Sequence, residues 1–164
     1  MKILFLHGWY STPGGMKPTF LQSLGHEVLN PALDDDDFQL AVDVAQTAYD
    51  RNAPDVIVGS SRGGAVAMHL QSRDTPLVLL CPAWRAHGRI DRVKPETWIL
   101  HSRQDDVVAY ADSERLLAHS GLPASRLITT GSDHRLVDPD SLDALRSLCA
   151  ALENDRIEQT PSDA

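Results

Sequence analysis

Val56-Ile57-Val58-Gly59-Ser60-Ser61-Arg62-Gly63-Gly64 is an apolar, β-branched run that passes straight into the pattern Gly59-x-Ser61-x-Gly63. Such a junction reads as a strand ending in a tight turn, with a helix beginning on its far side. The turn holds the serine hydroxyl out as a nucleophile, and glycines flank it because a Cβ there would collide with the turn or the neighbouring strand. From Arg62 to Arg73 follow helix formers and the small residues Gly63, Gly64, Ala65 and Ala67, which let a helix pack closely on a sheet. A phosphate-cradling loop is the alternative for a glycine-rich turn of this kind. Neither a Gly-Lys-Ser/Thr ending nor Gly-x-Gly-x-x-Gly is present.

The chain has 164 residues, 42% hydrophobic and 23% charged, which fits one globular domain. A formal charge of -8 opposes a broad electrostatic footprint on nucleic acid or on an anionic membrane. Small-molecule substrates are expected instead. Cys81 ends an apolar strand and Cys149 lies in an apolar helical stripe, so both read as buried thiols of a reducing compartment. Ile3 to Leu6 is shorter than the ~7 to 15 apolar residues of a signal peptide core. It reads as the first strand, and a cytoplasmic location is expected. No run approaches the ~18 apolar residues of a membrane span.

Short apolar strands alternate with helical stripes along the chain. Strands are expected at 2–7, 26–30, 55–59, 76–81, 97–101 and 125–130, and helices near 19–24, 41–48, 62–73 and 110–120, with a last one opened by Asp138-Pro139. This order implies a single-domain, three-layer α/β/α fold with a six-stranded, mostly parallel sheet. The domain is expected over 1–153, followed by a polar, fraying tail over 154–164. Ligand sites in such sheets lie beyond the carboxyl ends of the strands.

A hydrolytic serine needs a histidine base and an acid on later strand-ending loops. Asp105 follows the strand 97–101 and His134 follows the last strand, in the required order. Asp105 would orient His134, which would take the proton of Ser61; Asp106 and Asp133 remain alternatives for the acid. Backbone donors for the oxyanion are expected from Arg62, after the nucleophile, and from Trp9 in the loop after the first strand.

The set His7-Gly8-Trp9, Gly59 to Gly64, Asp105 to Val108 and Gly131 to His134 resembles the α/β-hydrolase family. More narrowly, the chain is similar to the small, capless YqiA-like esterases, through the Ser/Thr-Pro-Gly stretch and lysine at 11–17 and Pro82-Ala83-Trp84-Arg85. The resemblance covers nearly the whole chain and implies Ser61 as nucleophile, Asp105 as acid and His134 as base. It also implies a sheet without the first two strands of larger relatives. Ser102, where many relatives carry glycine, and Arg62, where an apolar residue is usual, depart from the pattern.

The segment 82–96 is too short for a lid, so an open site is expected. Tyr10 and Trp84 are candidate walls beside Trp9, and Arg85 is a candidate for a substrate anion, as is Arg62. Asp34 to Asp37 read as a solvated cap of the next helix rather than a metal site, and no metal or cofactor is expected. His101 reads as a packed residue. The expected activity is hydrolysis of a carboxylic ester or thioester through an acyl-serine. An interaction module on the same scaffold, or a triad enzyme acting on amide or carbon–carbon bonds, are the rival readings.

Overall fold

The computed structural model describes residues 1–159. Six strands, β1 (Lys2–Leu6), β2 (Glu27–Leu29), β3 (Val56–Ser60), β4 (Leu77–Leu80), β5 (Thr97–His101) and β6 (Leu127–Thr129), form one sheet in the order β2-β1-β3-β4-β5-β6. Every pairing is parallel. Among the described residues five α-helices accompany the sheet, α1 (Met16–Ser23), α2 (Phe38–Asn52), α3 (Arg62–His69) and α4 (Tyr110–Ser120) between strands and α5 (Pro139–Gln159) after the last one.

Alternation along the strands sorts the core into two layers, because successive side chains point to opposite faces. Leu4, Leu6, Ile57, Leu79 and Ile99 pack with Ala41 and Ala45 of α2, Val66 of α3 and Leu116 of α4. Ile3, Phe5, Val58, Val78 and Leu100 pack on the other side with Leu21 of α1 and Leu145 and Cys149 of α5. Since the chain runs from β1 outward to β2 and then returns to β3 on the opposite side, the loops after β1 and β3 part at a topological switch point. That crevice is where such sheets bind ligands.

The ends of several elements depart from the sequence expectation for identifiable reasons. α1 begins at Met16, with Gly15 as an N-cap that offers no side-chain bond, so no capping residue announces it. Pro18 is tolerated because amides of the first turn have no intrahelical acceptor. α3 stops at His69, because Leu70 turns extended and keeps its side chain in the core. α5 runs on to Gln159 past the expected boundary at 153, and Arg156 within it pairs with Asp55 at 3.3 Å. Residues 160–164 of the expected tail lie outside the described residues. The aspartate run does cap α2: Asp34 accepts from the amides of Asp36 and Asp37, and Asp37 from that of Leu40. No described helix is long and apolar enough to cross a membrane.

Leu79 is fully buried at the centre of the sheet. Leu79→Ala should therefore lower stability by about 3 kcal/mol, read as a lower urea midpoint with an unchanged slope.

Candidate active site

Ser61 sits between β3 and α3 with φ 53° and ψ -117°, a conformation that costs about 1–3 kcal/mol for a residue with a side chain. Neighbouring backbone holds it there. Its amide donates to the carbonyl of Leu80 at 2.8 Å, and its own carbonyl accepts from the amides of Gly64 and Ala83. The close fit also explains two glycines. A Cβ on Gly59 would stand 2.6 Å from the carbonyl oxygen of Gly63, and one on Gly63 would overlap the carbonyls of Leu6 and His7.

His134 comes from the loop after β6. Its Nε2 lies 2.9 Å from Ser61 Oγ and its Nδ1 lies 2.6 Å from Asp105 Oδ2. Asp105 therefore takes the position that the sequence left open to Asp106 and Asp133. An ionised carboxylate only accepts, so Nδ1 carries the proton and Nε2 presents its lone pair to the hydroxyl. Ser102 ties the two loops together by donating its hydroxyl to the carbonyl of Gly131 at 2.9 Å, which gives this departure from glycine a structural role.

Asp105 has more partners than the sequence suggested. Oδ1 accepts from the amides of Val107 and Val108, each at 2.8 Å. Oδ2 is shared between His134 and Nε2 of the buried His101 at 3.0 Å, and the Cys81 thiol also donates to this carboxylate. Burial pushes the Asp105 pKa up, but the hydrogen bonds from Val108, His134, Val107 and Cys81 together outweigh it and leave the pKa lowered. The group is ionised. Burial pushes His101 the other way, below its ordinary range and against the pull of Val108 and Asp105. Neutral His101 accepts the Ser113 hydroxyl at Nδ1, 2.7 Å away, which turns its Nε2–H toward Asp105 and the carbonyl of Val108. Its place at the end of β5 was legible, whereas the partner that makes it a clamp on the carboxylate was not.

The loop after β1 approaches Ser61 closely; a Cβ on Gly8 would stand 3.3 Å from Ser61 Cβ. The amides of Trp9 and Arg62 have no acceptor among the described residues. His7 aims the first of them. Its Nε2 accepts the Leu33 amide at 3.0 Å, so the proton is on Nδ1 and is donated to the Gly8 carbonyl at 2.9 Å. In a trans peptide this fixes the Trp9 N–H in the opposite direction from the held carbonyl. The sequence had marked His7 only as part of a motif.

A cleft of about 610 Å³ opens over Ser61 and His134, with Trp9, Tyr10, Lys17, Arg62, His87 and Arg135 in its walls. Trp9 and Tyr10 stack at 5.2 Å, and Tyr10 is 84% exposed. Trp84 and Arg85 do not line it. The apolar body of Trp84 is drawn into the core, 8% exposed, and its Nε1 donates to the carbonyl of Asp112. Arg85 pairs with the Asp112 carboxylate at 2.9 Å. The path of the chain after Ala83 thus carries both residues toward α4 and leaves His87 at the cleft.

Cys81, Asp105 and His134 bring potential metal-ligating atoms within 4.8 Å of one another. The thiol is kept protonated, since burial first and the Asp105 charge second push its pKa far up. Burial likewise raises Cys149, to about 12. Both thiols should fail to react with a disulfide reagent at pH 8 in the native protein and both should titrate once it is denatured, because the thiolate is the reactive form.

No family model matches the chain, and no curated protein matches it. Solved structures do. A candidate hydrolase from Agrobacterium vitis S4 superposes with a TM-score of 0.75 at 20% identity, over 92% of this chain and 87% of that one. Alpha/beta hydrolase domain-containing protein 10 from mouse gives 0.73 at 15% identity, over 94% and 90%. Est1E from Butyrivibrio proteoclasticus, solved with ferulic acid bound, gives 0.68 at 16% identity, over 96% and 88%. The parallel sheet, the turn at Ser61 and these superpositions together identify the α/β-hydrolase fold, in a form with no cap domain between β4 and β5.

Proposed function

We propose that the protein is a serine hydrolase that cleaves a carboxylic ester or thioester through an acyl-serine intermediate. The observation that carries this reading is the continuous relay from Ser61 Oγ through His134 to Asp105, at 2.9 and 2.6 Å. Reaction begins when Ser61 Oγ attacks the carbonyl carbon and His134 Nε2 takes the hydroxyl proton. The negative charge that forms on the carbonyl oxygen is met by the amides of Trp9 and Arg62, the latter at the positive end of α3. Collapse breaks the bond to the leaving oxygen or sulfur, which receives the proton from His134. Water then attacks the acyl-serine with His134 again as base, and the acid is released.

Asp105 does not take up the proton in this scheme. It holds the tautomer of His134, and His101 and the amides of Val107 and Val108 hold Asp105. Solved relatives of the fold described as hydrolases support the class of reaction, and Est1E with its bound ferulic acid supports a carboxylic acid as a product type that such a cleft admits. The open cleft gives water ready access to the acyl group, which favours hydrolysis over transfer to another alcohol. The substrate is a small molecule rather than nucleic acid, as the charge of -8 suggests. The unpaired thiols Cys81 and Cys149 fit a cytoplasmic site of action.

A fluorophosphonate probe should label Ser61, and Ser61→Ala and His134→Ala should each lower ester turnover by ~10³-fold or more. The double variant should lose little beyond either single one, since the groups act as a unit. A folded protein that neither labels nor hydrolyses any ester would leave the scaffold to an interaction role.

A further inference from the structure

The chain has 23 acidic residues against 15 lysines and arginines, yet among the described residues no aspartate or glutamate lines the cleft over Ser61. Its walls hold Lys17, Arg62 and Arg135 instead. A locally positive cleft on a protein of net charge -8 runs against the field of the rest of the molecule. Among the described residues these cations also lack the carboxylate partners found elsewhere, as between Arg85 and Asp112 or Arg146 and Asp143.

Lys17 stands at the start of α1, with its Nζ donating to the carbonyl of Arg135 at 2.6 Å. No carboxylate lies within ion-pair distance of it among the described residues. Burial lowers its pKa to about 8, Arg135 pushes in the same direction, and Asp133 opposes both. Asp133 is a weak counterion because its carboxylate is turned onto the amides of Arg135 and Leu136. A half-buried ammonium whose hydrogen bond goes to one carbonyl is left short of countercharge, and a ligand can supply it. Arg62 is 2% exposed, and among the described residues its guanidinium has no hydrogen-bonded partner; it lies over the Phe38 ring at 5.5 Å, and its charge acts on the exposed Asp34.

We infer that the substrate carries an anionic oxygen group, a carboxylate or a phosphate, away from the bond that is cleaved, and that Lys17 and Arg135 receive it. The inference rests on the hydrolase reading and narrows its substrate class. It replaces Arg85, which is occupied by Asp112, with two residues at the cleft itself. Because the ammonium must be protonated to bind an anion, the preference is present below the Lys17 pKa and is lost as pH rises through it. A bound anion stabilises the charged form and moves that loss upward from about 8.

The test compares esters that differ only in charge. In one arm the charge is on the acyl side, 4-nitrophenyl hemiglutarate against 4-nitrophenyl pentanoate; in the other it is on the leaving group, 3-carboxyphenyl pentanoate against phenyl pentanoate. Each kcat/KM is divided by the rate of the same ester with hydroxide. The anionic member should be favoured by about tenfold or more in one arm, as expected for a hydrogen bond to a charged group, and the arm that responds identifies which half of the substrate bears the charge. The ratio should shrink as salt is added and as pH rises past about 8. Lys17→Met should collapse it, and Lys17→Arg should retain it while removing its dependence on pH, since guanidinium does not titrate there. Turnover of the neutral esters with no preference for the anionic ones in either arm overturns the inference and leaves the hydrolase reading standing. So does a preference that survives unchanged in a folded Lys17→Met variant. Absence of turnover with every ester, together with absence of fluorophosphonate labelling, defeats the hydrolase reading and the inference with it.

Discussion

One buried carboxylate organises the rim of this molecule. Asp105 accepts from two backbone amides of its own loop, from His134 in the next one, from His101 at the end of β5 and from Cys81 at the end of β4. Desolvation of a carboxylate costs several kcal/mol unless hydrogen bonds replace the lost water. Here the donors come from the ends of β4 and β5 and from the loops after β5 and β6, so the same bonds that keep the charge stable also fix the relative positions of three strand-ending loops. The relay to Ser61 is one spoke of that arrangement.

The sheet supplies what the carboxylate alone cannot. Parallel strands align their carboxyl ends, and the return of the chain across β1 to β3 sets the loops holding Gly8 and Ser61 against each other. The left-handed backbone at Ser61 persists because its amide and carbonyl are pinned to Leu80, Gly64 and Ala83. His7 does the equivalent for the loop after β1 by holding the carbonyl of Gly8. Rigid backbone at both loops matters because donors must be in place before charge develops, rather than reorganise toward it.

Much of this was readable from residues alone, and the reasons differ by element. The six strands are runs of β-branched and aliphatic residues bounded by turn formers, and the order Ser61, Asp105, His134 needed only the rule that ligands sit beyond strand ends. Asp105 was preferred from its loop and from the resemblance, but setting Asp106 and Asp133 aside took the backbone, since the side chains of adjacent residues diverge and it is Asp105 that meets His134. Trp84 and Arg85 were misplaced because sequence gives no bearing for a loop after a strand. The core and Asp112 claimed both. Lys17 was legible only as part of the motif at 11–17; its place in the cleft was not, because the pairing of Nζ with the carbonyl of Arg135 joins positions far apart in the chain.

In the proposed mechanism the same carboxylate also decides which nucleophile the site offers. Cys81 lies beside the relay and carries the intrinsically stronger nucleophile, but only as a thiolate. Burial and the negative charge of Asp105 both disfavour that form, and the thiol spends its proton on the carboxylate instead. Ser61 stands on the other side of His134, at the start of α3, where a neutral hydroxyl can be deprotonated as it attacks and the helix end favours the negative charge passed on to the carbonyl oxygen. In the proposed mechanism a charge placed to orient the imidazole thus also keeps the thiol next to it protonated, and the attack is left to the serine.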